Sequence, residues 1–106
     1  MKHFVVIIHY IAPSEEVAKL RPAHRVFLQT GYDASLLLMS GPRNPCTDGI
    51  AIARAESPDE IISFFKKDPY QMNNLASYEF IEFEPVKNHP MVHQWVNPKE
   101  SIRTTE

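Results

Sequence analysis

The sequence predicts an α+β fold in one domain, with four strands and two principal helices in the order β-α-β-β-α-β. Three observations predict it. Short runs rich in β-branched, aromatic or leucine residues recur at residues 3–10, 35–40, 50–55 and 77–84. Polar, helix-prone stretches with apolar residues at spacings of three and four separate the first run from the second and the third from the fourth. Between the second and third runs, Gly41-Pro42-Arg43-Asn44-Pro45-Cys46-Thr47-Asp48-Gly49 is dense in turn formers and reads as a long hairpin loop.

Each element has its own local reasons. The first strand, His3-Phe4-Val5-Val6-Ile7-Ile8-His9-Tyr10, is β-branched and aromatic and is bounded by Ala12-Pro13. It does not alternate, so both of its faces should be covered. Ser14-Glu15-Glu16 opens a helix-prone stretch that Pro22 restarts, because proline at a first helical position forfeits no hydrogen bond. Ala23, Val26, Phe27 and Thr30 share one face of that helix, His24, Leu28 and Gly31 an adjoining one, and Gly31 suits its end. Strand two is Ser35–Ser40 and strand three Ile50–Ala55. Ser57 as N-cap, Pro58 at the first helical position and Glu60 closing a capping box start the second helix. Ile61, Ile62, Phe64 and Phe65 form its apolar stripe, and Lys66 and Lys67 complement its dipole. Asp68-Pro69 punctuates, with a further helical turn through Leu75. Strand four, Ser77–Glu84, changes apolar phase between Phe80 and Ile81, which predicts a bulge or two partly covered faces, and Pro85 limits it. Residues 88–106, with Pro90 and Pro98, read as an extended arm with a frayed tip, docked through Met91, Val92, Trp95 and Val96.

Composition narrows the function. The chain has 106 residues, 43% hydrophobic and 23% charged, which is one ordinary globular domain whose own core is thin and would gain from self-association. A formal charge of −2 argues against a dedicated nucleic-acid binder. The single cysteine, Cys46, excludes an intramolecular disulfide and a Cys-rich zinc site, and points to a cytoplasmic protein. The N-terminal apolar run Phe4–Ile8 falls far short of the roughly 20 residues of a membrane span, and no signal-peptide pattern is visible.

The element order is that of a ferredoxin-like sheet with both helices on one face. Chain direction then collects at one rim His9 and Tyr10, Arg21 and His24, the Ser40–Asp48 turn, Asp68 and Tyr70, and Tyr78. The second apolar sheet face needs a cover, and the simplest is the same face of a second chain. The expected assembly is therefore a homodimer with sheets face to face, a dimeric α+β barrel, or a higher homo-oligomer.

Arg21-Pro22-Ala23-His24, Leu37-Leu38 with Ser40-Gly41-Pro42, Ser57-Pro58-Asp59-Glu60, Asp68-Pro69-Tyr70 and Phe83-Glu84-Pro85-Val86 together resemble the YciI-like (YCII-related) family. The resemblance covers roughly residues 3–87, so residues 1–87 are expected to be the family domain and residues 88–106 an extension beyond its usual ending. It implies small dimeric α+β barrel proteins, related in fold to muconolactone isomerases and cofactor-free monooxygenases. The family's active-site histidine and aspartate correspond to His24 and Asp68.

That pair suits proton transfer on an enol, phenol or lactone, with His24 as general base or acid and Asp68 orienting it. Arg21 would hold a substrate carboxylate or oxyanion, while Tyr70, Ser40, Gly41 and His9 would line the pocket. The plainer alternative packs His24 on a helix edge and makes Asp68 a cap for the turn before Pro69. His89 and His93 have helical metal spacing, but Pro90 separates them and no acidic ligand is near, so no metal is expected. Cys46 has no His or Lys beside it in sequence to make it a nucleophile. No glycine-rich phosphate or dinucleotide fingerprint is present, and cofactor-free chemistry is the expectation. The leading function is thus a cofactor-independent isomerase or lyase acting on a small anionic aromatic or enolic metabolite. The alternatives are a non-catalytic small-ligand module of the same fold and an assembly subunit whose arm carries the function.

Overall fold

A computed structural model describes residues 1–99. It contains β1 (Lys2–Tyr10), α1 (Ser14–Asp33), β2 (Leu37–Pro42), β3 (Asp48–Ala55), α2 (Pro58–Phe65), α3 (Pro69–Met72) and β4 (Ala76–Phe83). A 3-10 turn at Pro90–Val92 and the single turn α4 (His93–Val96) follow. The strands form one antiparallel sheet in the order β2-β3-β1-β4, the ferredoxin-like arrangement that the element order predicts.

Strand alternation explains how one apolar strand serves two faces. Phe4, Val6 and Ile8 of β1 are buried under the helices, where Val17, Phe27, Leu28, Ile61 and Phe65 meet them. Val5 and Ile7 lie on the opposite, open face beside Ile52 and Ile50 of β3 and Ile81 of β4. Within one chain that face is only partly covered: Ile81 is 40% and Phe83 44% exposed.

Several expectations change in the structure. Pro22 does not restart a helix; α1 is continuous from Ser14 to Asp33 with Pro22 inside it. Both Pro22 and Ala18, whose carbonyl the proline leaves without its usual donor, are exposed, so water can take the lost bond. Gly31 is not the helix end. It is buried inside the helix, and glycine is needed there because a Cβ would stand 2.6 Å from the Phe64 ring tip and 2.8 Å from the Leu37 side chain. Val26 faces solvent at 71% exposure, and the buried stripe of α1 is Val17, His24, Phe27, Leu28 and Gly31. The chain leaves the helix through Ser35, at φ 59°.

Strand β2 starts two residues later than expected and β3 two earlier, so the connecting loop shrinks to Arg43–Thr47. The register irregularity falls between Leu37 and Met39 of β2, while β4 pairs with β1 without interruption. The phase change in β4 thus marks two partly covered faces: Tyr78 and Phe80 pack toward the core, and Ile81 and Phe83 toward the open face. Ser57 caps α2 as the sequence predicts, its hydroxyl accepting the Glu60 N–H, whereas the Glu60 carboxylate accepts from the Glu56 N–H, one residue before the N-cap that a capping box would use.

The arm is not extended. Its helical turns dock on the open face, where Arg54 stacks on Trp95 at 3.9 Å and donates to the Trp95 carbonyl. The Val96 carbonyl meets His3 Nε2 at 3.2 Å. The expected frayed tip, residues 100–106, lies outside the described residues. No helix among the described residues is long and apolar enough to cross a membrane.

Candidate active site

Helix α1 places Arg21, His24, Arg25 and Leu28 on one face, at helical spacings of three and four. That face walls a cleft of about 350 Å³, closed on other sides by Ile8 and Tyr10 of β1, by Tyr70 and by the β2–β3 turn. At its inner wall His24 Nδ1 lies 2.8 Å from Asp68 Oδ1. Asp68 is fully buried and His24 9% exposed.

Asp68 is where two local reasons meet. As N-cap of α3 it accepts the Tyr70 N–H on Oδ1 at 3.0 Å. Its second oxygen accepts the Tyr78 hydroxyl at 2.6 Å. A backbone N–H can only donate, so Oδ1 is an acceptor there, and His24 must offer it an Nδ1–H. Nε2 is left as the proton acceptor of the neutral ring, and it makes no hydrogen bond among the described residues. The capping role that would make Asp68 merely structural and the pairing with His24 therefore coexist on one carboxylate.

The aromatic surroundings are equally ordered. Tyr70 stacks on the His24 imidazole at 4.0 Å and 9°, a face that favours an imidazolium. Tyr10 meets Tyr70 edge-on at 5.9 Å. Burial raises the pKa of all three phenols, Tyr10, Tyr70 and Tyr78, and donation to Asp68 raises Tyr78 further. All three are neutral hydrogen-bond donors near pH 7.

Of the residues expected at the site, Arg21, His24, Ser40, Gly41 and Tyr70 line the cleft, with Asp68 behind His24. The Ser40 hydroxyl already shares a 2.6 Å hydrogen bond with the Tyr32 hydroxyl. Gly41 has open space where a Cβ would be, so the cleft does not require glycine there. His9 is elsewhere. Its ring lies on the open face between Asp48 Oδ1 at 3.1 Å and Glu79 Oε1 at 3.2 Å. Arg25 was absent from the expected set, and Tyr78 was expected at the rim but given no role at the site. Arg25 was findable as the residue one turn beyond Arg21, whereas nothing local to Tyr78 announces its bond to Asp68. Cys46 also reaches the cleft wall, from an exposed loop position.

No group of three or more metal-ligating side chains occurs among the described residues. His89 instead caps the turn after it, its Nδ1 accepting the Met91 N–H at 3.0 Å.

The Asp48 carboxylate ties the open face to the cleft. Besides His9, it takes Arg43 at 3.1 Å and Thr47 at 3.2 Å on Oδ2, holding the loop that carries Cys46. Burial would raise Asp48, but the hydrogen bonds from His9, Arg43 and Thr47 outweigh it and hold the carboxyl below its usual range. Hydrogen bonds to Glu79 and Asp48 raise His9 above its ordinary 6.5. A raised folded-state pKa means that the stabilisation is complete below the unfolded value and is lost as pH climbs through the folded one. The stability gap between wild type and His9→Gln should therefore be widest below pH 6.5 and close above it. Thermal melts across that range check this, and a gap that widens with pH would refute it.

Fold and site together define an α+β protein of ferredoxin-like topology with a buried histidine–carboxylate pair opening on a cleft. The chain belongs to the YCII-related domain family, whose profile matches residues 3–84. Its fold is similar to that of 5-chloro-2-hydroxyhydroquinone dehydrochlorinase (TftG) from Burkholderia phenoliruptrix AC1100, solved in complex with 2,5-dihydroxybenzoquinone. The TM-score is 0.59 at 21% sequence identity, over 83% of this chain and 96% of that one. No curated protein sequence matches the chain.

Proposed function

We propose that the protein is a cofactor-independent isomerase or lyase that moves a proton on a small anionic aromatic or enolic metabolite in the cytoplasm. The observation that carries this reading is the 2.8 Å contact of His24 Nδ1 with a carboxylate already fixed by two other donors. Nε2 takes the substrate proton as general base, and Asp68 stabilises the imidazolium that forms. The electron pair released makes a new double bond. In an isomerase the imidazolium returns the proton at another atom; in a lyase an anion departs. A cleft of about 350 Å³ suits one ring, and the structurally similar dehydrochlorinase holds a hydroxyquinone, a flat enolic ring of that size class.

The working form in this proposal is a homodimer. Val5, Ile7, Ile50 and Ile52 are half-buried, and with Ile81 and Phe83 they make an apolar sheet face that a second copy would cover. Ile81→Lys should then convert a sedimenting dimer into a monomer with its strand content intact. A dimer that survives the added charge would argue against this face as the interface.

The chemistry is tested without knowing the pathway. A panel of enolisable ring acids, lactones and hydroxyquinols is incubated with the protein in D2O, and C–H to C–D exchange is followed by NMR. Catalysed exchange that disappears in a His24 variant supports the proposal. If panel members bind in the cleft and none exchanges or converts, the protein is a binding module.

A further inference from the structure

The Tyr70 hydroxyl is out of place as a structural group. Its residue is 1% exposed, and the hydroxyl is the single buried side-chain polar atom among the described residues without a hydrogen-bond partner. Buried phenols normally find a partner. Arg21 and Arg25 are near enough for their positive charges to act on it, pulling against the upward effect of burial. This does not satisfy the phenol. A guanidinium only donates, so whatever Arg21 lends to the oxygen, the O–H proton still lacks an acceptor.

The two arginines are similarly unmatched. Neither makes a salt bridge among the described residues, although both line the cleft one helical turn apart. Like charges at that spacing repel. Two cations and an idle O–H donor thus share one corner, immediately beside the imidazole on which the Tyr70 ring stacks. What the corner lacks is an acceptor with negative charge.

Building on the acid–base reading of the same cleft, we infer that Tyr70, Arg21 and Arg25 form an oxyanion subsite. It takes the carboxylate or ring oxyanion of a one-ring ligand. Arg21 is half-buried beside the phenol, close enough for its charge to act on it. When a ligand enters, its guanidinium rotates onto the anion, and the Tyr70 proton gains the acceptor it lacks. The subsite holds the ligand beside His24, where an acidic proton conjugated to the anion meets Nε2. Tyr70 therefore binds ligand through its hydroxyl and supports His24 through its ring.

The test uses the full chain and three probes of similar size: benzoate, 4-nitrophenolate and neutral benzamide. Titration calorimetry should show at least one anion binding about tenfold or more tighter than benzamide, with an affinity that falls as salt rises. Whichever anion binds better tells a carboxylate subsite from a ring-oxyanion one. Tyr70→Phe keeps the stacked ring and removes only the hydroxyl. It should weaken the preferred anion about tenfold, leave benzamide unchanged, and hold or raise the melting temperature, because it deletes a buried group that has no partner. Arg21→Gln and Arg25→Gln should each weaken the anion without altering benzamide.

The inference is overturned if benzamide binds as tightly as both anions, if no probe binds, if Tyr70→Phe leaves anion affinity intact, or if it lowers the melting temperature. The last result would mean that the hydroxyl serves the resting fold. The acid–base reading fails separately: anion binding with these signatures but no catalysed exchange of any bound compound would remove the chemistry and keep the subsite.

Discussion

Asp68→Ala is expected to lower the free energy of unfolding by about 3–5 kcal/mol, a large part of the roughly 5–15 kcal/mol that holds a domain of this size together. The alanine would strand three donors at once: the His24 Nδ1–H, the Tyr70 N–H and the Tyr78 hydroxyl. None can turn to water easily, because Asp68 is 0% and Tyr70 1% exposed, and each unmet donor costs about 1–3 kcal/mol. A drop of at least about 12 °C in melting temperature should follow.

Asp68→Asn separates charge from shape. The Asn oxygen must occupy the Oδ1 position, since the Tyr70 N–H can only donate, and it can accept from His24 there as well. The amide nitrogen then faces the Tyr78 hydroxyl, whose proton loses its acceptor. One unmet donor in place of three predicts a loss of about 1–2 kcal/mol. Guanidinium denaturation of wild type and both variants checks the order. Equal losses for Ala and Asn, or an Ala loss below about 1 kcal/mol, would mean that the carboxylate is not the hub the geometry implies.

The distance between sequence and structure is instructive at this hub. His24 and Asp68 are 44 positions apart, yet chain direction in a β-α-β-β-α-β order was enough to put them at one rim. Their contact was not legible that way; it came from the family resemblance, and the structure supplies its geometry. The dual role of Asp68 escaped because its cap and its pairing looked like competing explanations, when a carboxylate has two oxygens and room for both. Strand alternation forbids His9 and Tyr10 from sharing one face, and the position of Tyr10 decides between them. Tyr10 lines the cleft, so its neighbour in β1 must point to the opposite face.

Gly31 and Pro22 misled for a common reason. Both are local helix punctuation, and the surroundings overrode each: the close approach of Phe64 and Leu37 fixes glycine inside α1, and solvent on the outer side tolerates proline. The docking of the arm was legible from Trp95 and Val96, because apolar side chains of that size rarely stay in water, but Met91, expected to dock with them, is 84% exposed. The arm's helical turns were not legible, because Pro90 and Pro98 suggested extended chain. Pro90 in fact opens the 3-10 turn, capped by His89.

His24→Asn should lower turnover of an exchanging compound by about 10²- to 10⁴-fold, the usual range for a positioned general base. Asparagine carries an N–H close to where Nδ1 stands, so it keeps a donor for Asp68 Oδ1 and spares the hub. What it removes is Nε2, the atom that takes the proton. Affinity for the bound anion should change little, because the arginines and the Tyr70 hydroxyl remain, so the loss belongs in kcat and not in KM. Asp68→Asn should sit between wild type and His24→Asn: the base is present and its tautomer retained, but the imidazolium forms beside a neutral amide in place of a carboxylate. Steady-state kinetics on the three proteins, with unfolding curves to confirm that each is folded, decide the matter. A His24→Asn enzyme that kept full kcat would place the proton transfer on another group and leave the His24–Asp68 pair as architecture. A variant that lost only affinity would move the imidazole from chemistry to binding.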